Sequence, residues 1–286
     1  MYKLALLPFD QFDQAAIVNF EKKDIDINNL FGEQAYQGFS SGKAVIKALM
    51  EFHNLSRKDE VYISTTTDTS FVSSCVTSTI FNYCKVSRVI TNKTKLIFVI
   101  HEFGYPNKKI DELVEYGQER GIPVVEDVAH SMNSTLNGQR LGCRADYSLF
   151  SLPKIFPVNS GGLLIVNKKG GRKTYNTLEH KNCMRDLNRW LCYLDSFTKK
   201  KKEIEKIFIK SFSNYNAIFE SSDEVNPFVF GFEVPGLGVL ESEFDQLGIE
   251  IAKTYVKDRI LLPLNPFAKV DKVGEIVVDI KQYLNK

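Results

Sequence analysis

The hydrophobic positions of the first 170 residues alternate between two spacings. Apolar side chains recur every three or four residues in three segments, which predicts helices over 42–55, 71–84 and 108–121. Short apolar runs between charged or glycine-containing turns predict strands over 59–64, 86–91, 95–100, 122–128, 147–151 and 162–167. Strands that alternate with helices indicate an α/β fold, with a mostly parallel sheet that is flanked by helices.

The pattern changes after about residue 170, where residues 172–200 are polar and only weakly periodic. Shorter helical and strand patterns then follow at 199–213, 228–236, 240–247, 248–251 and 271–284. We therefore predict a large α/β domain over residues 1–174 and a smaller C-terminal α+β domain over residues 175–286.

Composition narrows the class of protein. The chain has 286 residues, of which 43% are hydrophobic and 25% charged, and its formal net charge of +2 indicates neither a nucleic-acid nor a membrane partner. The basic cluster Lys199–Lys202 precedes an apolar helical face, which favours a solvated helix start over a nucleic-acid patch. The five cysteines are odd in number and lack CxxC spacing, so we expect reduced thiols and a cytoplasmic protein without signal peptide or membrane span.

An acidic residue and a lysine lie at or just after the ends of two predicted strands. Asp127 follows the segment IPVVE within the strand predicted over 122–128, and Lys154 follows the run 147–151 within the apolar segment LPKIF. Ligands bind at the carboxyl ends of parallel strands, and pyridoxal phosphate (PLP) needs both a lysine amine and a carboxylate. The residues alone leave two alternatives open, because Asp127 could cap a helix and most lysines are solvated.

Other residues could complete or replace such a site. The segment FSSGKAV places Gly42 directly before a predicted helix, whose N-terminal N–H groups could bind phosphate, although it also fits an ordinary helix cap. Phe71 could stack on a pyridine ring or simply pack in the core. A metal site at His101, Glu102, Asp127 and His130 is a weaker alternative, because their spacing matches no tight ligand motif.

Four sequence blocks resemble one known family. They are SSGKAVIKAL at the phosphate-ready helix, VIHEFG at a strand end, PVVEDVAHS with NGQRLGCRAD after it, and FSLPKIFPVNSGG. Together they resemble the PLP-dependent sugar aminotransferases labelled DegT/DnrJ/StrS. The resemblance implies the type I PLP-dependent aminotransferase fold, working as a homodimer with a shared active site.

The resemblance also implies roles for matching residues. Lys154 would form the Schiff base and act as general base, Asp127 would face the ring nitrogen, and His130 would contact the ring hydroxyl. Phe71 would stack on the ring. The phosphate would be held by Ser151 and by the loop residues Gly42, Lys43 and Ala44.

The resemblance implies an aminotransferase that moves an amino group from an amino acid, with glutamate expected, to a keto-sugar linked to a nucleotide. Such a reaction serves amino-sugar biosynthesis for cell-surface polysaccharides such as the lipopolysaccharide O-antigen. Lys43 stands where the family usually has Thr. This leaves the alternative of a protein that binds cofactor or sugar nucleotide without transaminase activity. A metal-dependent hydrolase-like protein using His101 and His130 is a third possibility.

Overall fold

The structure, a computed structural model, describes residues 2–32, 34–68, 73–167, 180–237, 241–254 and 256–285. Its strands in chain order are β1 Ala35–Phe39, β2 Glu60–Thr65, β3 Lys85–Ser87, β4 Thr94–Ile100, β5 Val124–Asp127, β6 Thr135–Leu136, β7 Gln139–Arg140, β8 Tyr147–Ser151, β9 Gly162–Val166, β10 Asn216–Ala217, β11 Val229–Glu233 and β12 Arg259–Pro263. Its α-helices are α1 Pro8–Gln11, α2 Ile27–Phe31, α3 Gly42–Phe52, α4 Ser74–Phe81, α5 Ile110–Arg120, α6 His180–Trp190, α7 Leu194–Ser211, α8 Glu241–Gln246 and α9 Val270–Leu284.

Seven strands form the main sheet, in the order β1-β9-β8-β5-β4-β2-β3. The neighbours β8, β5, β4, β2 and β3 pair in parallel, while β9 runs antiparallel to both β8 and β1. The predicted α/β class with a mostly parallel sheet is therefore confirmed. The parallel pairing also brings the carboxyl ends of β2, β4, β5 and β8 to one edge of the sheet.

Alternate residues of β4 explain why this sheet is covered on both faces. Phe98 and Ile100 belong to a buried cluster that includes Val45 and Leu49 of α3. Ile97 and Val99 belong to a separate cluster on the other face, which includes residues of α5. Successive side chains of a strand point to opposite faces, so a continuous apolar run needs a helix on each side. Burial of each such side chain contributes about 1.5–3 kcal/mol.

The C-terminal part of the chain has a core of its own. The antiparallel sheet β10-β11-β12 packs with α7 and α9 in a cluster that includes Phe208, Phe232 and Ile276. Leu4 joins this cluster and forms an isolated parallel bridge with Ile249. The proposed domain boundary at residue 174 lies outside the described residues and stays a prediction. Among the described helices, none is long and apolar enough to span a membrane.

Two segments differ from their sequence-based predictions. The polar segment 172–200 contains α6 within its described part, because Cys183, Leu187 and Trp190 recur at helical spacing and are buried. Helix α7 begins at Leu194, before the predicted start at 199, so the basic cluster lies within the helix. Lys201 of that cluster is buried, which corrects the expectation that the whole cluster is solvated.

Gly162 allows two segments of the α/β part of the chain to approach closely. A Cβ atom at this position would lie 2.4 Å from the carbonyl oxygen of Ser41, which is too short for any real contact. We expect Gly162→Ala to push away the loop before α3 and to lower the free energy of unfolding by about 1–3 kcal/mol. Urea denaturation measures this loss.

Gly274 provides the matched control. It lies inside α9, and a Cβ atom there would have nothing within 4 Å. Gly274→Ala should therefore stabilise the chain by about 0.5–1 kcal/mol, because alanine loses less backbone entropy in a helix. Equal effects of the two substitutions would contradict the close approach at Gly162.

Candidate active site

A cavity of about 1030 Å³ opens at the carboxyl edge of the main sheet. Six of the eight residues predicted for the site line it, namely Gly42, Lys43, Asp127, His130, Ser151 and Lys154. Ala44, the residue after Lys43 in α3, is not among the lining residues. Phe71 lies outside the described residues. The structure thus brings together residues that are up to 112 positions apart in the sequence, although their roles stay predictions.

Lys154 ends a short 3₁₀ turn, Leu152–Lys154, that directly follows β8. Pro153 lies near the start of this turn, where its fixed φ angle and missing N–H are tolerated. The Nζ atom of Lys154 lies 3.0 Å from Nε2 of His130. Burial lowers the pKa of Lys154, while the carboxylate of Asp127 opposes that shift. Lys154 therefore lies in the cavity wall, and the lowered pKa favours a nucleophilic amine.

Asp127 ends β5 and is 3% exposed. Its Oδ1 atom accepts a hydrogen bond of 3.0 Å from the backbone N–H of Ala129, and no helix begins there. The helix-cap alternative for Asp127 is therefore wrong. Burial raises the pKa of Asp127, and the positive charge of Lys154 opposes this. A buried carboxylate of this kind gains stability from a cation, such as a protonated heterocyclic nitrogen.

His130 is held between two aromatic rings. The ring centroids of Phe103 and Phe228 lie 5.1 and 5.0 Å from the imidazole centroid. Phe103 adopts a φ angle of 53°, an uncommon backbone conformation for a residue with a side chain. Burial lowers the pKa of His130 well below its usual value, and the charges of Lys154 and Lys201 add to this effect. The imidazole is therefore neutral at neutral pH.

The N-terminus of α3 also lines the cavity, through Ser41, Gly42 and Lys43. Ser41 caps this helix, since its hydroxyl accepts a 3.2 Å hydrogen bond from the N–H of Ala44. A Cβ atom at Gly42 would lie 3.5 Å from Cβ of Ser151, which shows how closely the loop approaches β8. The first N–H groups of a helix and its dipole both attract anions. The N-terminus of α3 and the hydroxyl of Ser151 thus offer neighbouring donors for a phosphate group.

These features together fit PLP. The cavity offers an amine with a lowered pKa, a buried carboxylate and an anion-binding helix N-terminus. PLP carries a reactive carbonyl, a basic ring nitrogen and a phosphate, one for each of these groups. Lys154, Asp127 and the α3–Ser151 pocket would hold them respectively.

The sequence suggests Glu102 only as a metal ligand, yet its side chain lines the cavity. Its carboxylate accepts hydrogen bonds of 2.6 and 2.8 Å from the N–H and hydroxyl of Thr67. Burial raises the pKa of Glu102, and the bonds from Thr67 oppose this shift. No local pattern could have placed it in the site, because the cavity wall combines distant loops. Asp245, Glu250 and Phe228 of the C-terminal part join the same wall.

His101 is hydrogen-bonded inside the protein and is not among the residues that line the cavity. Its side chain is fully buried, its Nδ1 accepts a hydrogen bond from the N–H of Asn107, and its Nε2 lies 3.1 Å from Glu126. Because Nδ1 accepts, Nε2 carries the proton and donates it to the carboxylate. Both ring nitrogens are thus occupied, so the metal site and hydrolase alternatives lose their first ligand. Within the described ranges, no group of three potential metal ligands occurs.

Parts of the chain are similar in sequence to two known proteins. The chain is 28% identical over 160 residues to GDP-perosamine synthase of Escherichia coli O157:H7, covering 49% of this chain and 44% of that protein. It is 28% identical over 86 residues to UDP-4-amino-4,6-dideoxy-N-acetyl-β-L-altrosamine transaminase of Campylobacter jejuni, covering 29% and 23%. The chain therefore matches less than half of the length of either relative.

Solved structures share the fold at low sequence identity. Spr1654 from Streptococcus pneumoniae, in its PLP form, superposes with a TM-score of 0.78 at 16% identity and 99% coverage of both chains. Helicobacter pylori PseC, an aminotransferase involved in the biosynthesis of pseudoaminic acid, gives 0.73 at 12% identity, again with 99% coverage of both. These likenesses confirm the predicted fold.

The sheet order and the likeness to these solved structures show the type I PLP-dependent aminotransferase fold. The model of the DegT/DnrJ/EryC1/StrS aminotransferase family matches residues 17–193, more than half of the chain. The chain belongs to the DegT/DnrJ/EryC1/StrS aminotransferase family.

Glu126 should control the acid stability of this region. Burial alone would raise its pKa, but hydrogen bonds from His101 and the N–H groups of Gly142 and Arg144 outweigh that effect and lower it. The folded pKa thus lies below the ordinary value of 4.5, so this stabilisation is present above pH 4.5 and is lost as the pH falls through the folded pKa. We expect Glu126→Gln to cost about 1.5–3 kcal/mol at pH 7, because charge-assisted hydrogen bonds are lost, and to flatten the acid limb.

Urea denaturation between pH 3 and pH 7 tests this expectation. Glu119→Gln is the matched control, because Glu119 is exposed and pairs only at the surface with Arg120. Its effect should stay within about 0.5 kcal/mol. A Glu126→Gln profile that runs parallel to that of the wild type would refute the role of Glu126.

Proposed function

We propose that this protein is a PLP-dependent aminotransferase that moves an amino group from an amino acid to a keto-sugar linked to a nucleotide. Glutamate is the expected donor. The observation that carries the proposal is the convergence of Lys154, Asp127 and the N-terminus of α3 on one cavity. Membership of an aminotransferase family supports it.

Each of these groups has a distinct task in such a reaction. PLP, when bound, supplies an electron sink that makes a C–H bond of the amino acid acidic. Lys154 would hold the cofactor and later carry a proton to and from the substrate carbon, a task that suits its lowered pKa. Asp127 would keep the ring nitrogen protonated, because a buried carboxylate strongly favours a neighbouring cation.

The remaining residues orient the cofactor. His130 is fixed by Phe103 and Phe228, so it can present one ring nitrogen at a constant position. Ser151 and the loop Gly42–Ala44 would bind the phosphate through a hydroxyl and backbone N–H groups. Phe71, as the stacking ring, stays a prediction.

The sequence relatives support a nucleotide-linked sugar as the substrate. The two curated relatives are named for a GDP-linked and a UDP-linked amino sugar. The cavity volume of about 1030 Å³ reaches the upper end of ordinary ligand sites, which leaves room for a second ligand beside PLP. We therefore propose a nucleotide-linked keto-sugar, used in amino-sugar biosynthesis for surface polysaccharides such as the O-antigen. A cytoplasmic homodimer remains part of this proposal.

A binding protein without turnover is the second candidate. Lys43 lies in the cavity wall beside the proposed phosphate pocket, where the family resemblance leads us to expect Thr. An additional cation there strengthens the binding of a phosphate without contributing to proton transfer. The two candidates differ in whether glutamate converts bound PLP to its amine form.

The first test asks whether Lys154 forms a covalent bond with PLP. Purified protein mixed with PLP should gain the visible absorbance of a cofactor joined to a lysine, and Lys154→Ala should abolish it because the amine is gone. Lys95→Ala, an exposed lysine on the distant end of β4, is the matched control and should keep the band. Absence of PLP binding by the wild-type chain would refute the proposed function.

The second test asks whether the negative charge of Asp127 speeds the reaction of bound PLP. Asp127→Asn keeps an oxygen for the N–H of Ala129 but removes the negative charge. We expect the single-turnover conversion of bound PLP by glutamate to slow by about 10²–10³-fold, since electrostatic stabilisation of the ring is lost. Stopped-flow absorbance measures the rate, and Asp279→Asn on the exposed face of α9 should leave it unchanged. Cofactor binding without any conversion in the wild type would favour the second candidate.

A further inference from the structure

The turn that follows β4 is held in an unusual backbone conformation. Phe103 has a φ angle of 53° and Gly104 has one of 91°, both in the left-handed region that side chains rarely adopt. A Cβ atom at Gly104 would lie 2.5 Å from the carbonyl oxygen of Asn226. The carbonyl of Phe103 accepts a 2.7 Å hydrogen bond from the N–H of Phe228. Backbone strain persists only where surrounding contacts over-determine it, and it clusters at ligand-binding sites.

The same turn carries Glu102, whose side chain lines the cavity. Two successive threonines after β2 hold this residue in place. The hydroxyl of Thr66 accepts a 3.0 Å hydrogen bond from the N–H of Glu102. Thr67 donates its N–H and its hydroxyl to Oε2 of Glu102, at 2.6 and 2.8 Å. Backbone and carboxylate are thus both fixed before a ligand arrives, which lowers the entropy cost of binding.

The other carboxylate oxygen of Glu102 has no partner in the described part of the chain. Both bonds from Thr67 go to Oε2, and no hydrogen bond between described residues reaches Oε1. Arg88 and Arg259 oppose the rise that burial causes in the pKa of Glu102, but among the described residues neither forms an ion pair with it. A partly desolvated carboxylate oxygen of this kind gains stability from a hydrogen-bond donor on a ligand.

The turn that carries Glu102 contacts the proposed cofactor-binding residues. Ile100, two positions before Glu102, pairs with Asp127 in the main sheet. The ring centroid of Phe103 lies 5.1 Å from that of His130, whose Nε2 atom is 3.0 Å from Nζ of Lys154. Asp127 and Lys154 have proposed partners on PLP, whereas Glu102 has none. Glu102 is therefore available for the substrate.

Its negative charge limits which part of a substrate Glu102 can bind. The amino acid glutamate carries carboxylates and a nucleotide carries phosphates, and a fixed carboxylate repels both. Lys3, Lys43 and Lys253, which line the same cavity, suit those anionic groups. The hydroxyls of a sugar are neutral donors, and a hydrogen bond from a hydroxyl to a carboxylate is stronger than one between neutral groups.

We propose that Glu102 is a specificity-determining residue of the candidate active site: its carboxylate accepts a hydrogen bond from a hydroxyl of the sugar in the acceptor substrate. The cavity then selects an acceptor that carries a hydroxyl at this point and disfavours one that carries an acidic group there. The inference rests on the proposed function, because it takes the acceptor to be a sugar.

The test compares nucleotide sugars with the matching nucleotides by isothermal titration calorimetry of the full-length chain, in the presence and absence of PLP. The probes are GDP-mannose against GDP, and UDP-glucose against UDP. Glu102→Gln keeps an oxygen for Thr67 and removes the negative charge. We expect this variant to reduce the advantage of the nucleotide sugar over the bare nucleotide by about five- to tenfold, since a charge-assisted hydrogen bond becomes a neutral one.

Glu275→Gln is the matched control, because Glu275 is exposed on α9 and pairs only with Lys272. It should keep the wild-type ratio of the two dissociation constants. An unchanged ratio in Glu102→Gln would overturn the inference, because the carboxylate would then serve only to hold Thr67. A wild-type chain that binds neither nucleotide sugar more tightly than its nucleotide would overturn it as well.

Deoxy analogues of UDP-glucose give a second measurement that also works if Glu102→Gln does not fold. One analogue, which lacks the bound hydroxyl, should bind the wild-type chain about five- to tenfold more weakly than UDP-glucose. That analogue should bind Glu102→Gln and wild type alike. Equal binding of all the analogues to the wild-type chain would contradict the proposed contact.

The donor half of the reaction separates this inference from the proposed function. If Glu102→Gln weakens the apparent affinity for glutamate in the conversion of bound PLP and leaves the sugar ratio unchanged, the carboxylate binds the ammonium of the donor and the inference is wrong. Sugar binding that depends on Glu102 in a chain that does not bind PLP would refute the proposed aminotransferase and leave the contact at Glu102 intact.

Discussion

The parallel pairing of the buried strands β4, β5 and β8 is the constraint on which the site depends. Buried backbone groups must be hydrogen-bonded, so these strands run in register and end together, with Ile100 beside Asp127 and Asp127 beside Leu149. Glu126 also fixes the segments that flank these strands, because its carboxylate accepts hydrogen bonds from His101 and from the N–H groups of Gly142 and Arg144. The loops that carry the cavity residues are thereby held in place.

Burial destabilises the charged forms of the ionisable side chains in the cavity. Burial raises the pKa of Asp127 and lowers the pKa values of Lys154 and His130, which means that each charged form is disfavoured there. Such uncompensated groups cluster at functional sites, since a ligand can supply the missing partners. A cofactor with a ring cation and a phosphate would offset the costs at Asp127 and at the N-terminus of α3.

The C-terminal part of the chain completes the site. Phe228, which directly precedes β11, packs on His130. Tyr105 links the two parts of the fold, because its hydroxyl bonds both Glu205 and the carbonyl of Val229. The cavity is therefore lined by residues from both parts of the chain.

The sequence by itself determined the α/β class, most strands of the main sheet, and the placement of Asp127 and Lys154 at strand ends. These features follow from local spacing, since an apolar run followed by one polar residue defines where a buried strand stops. Only the tertiary structure decided that Lys201 is buried, that Glu102 lines the cavity and that His101 is bonded to Glu126. Those outcomes depend on contacts between distant segments, and a side chain's solvation and charge partners are set by what packs against it, which no local pattern encodes.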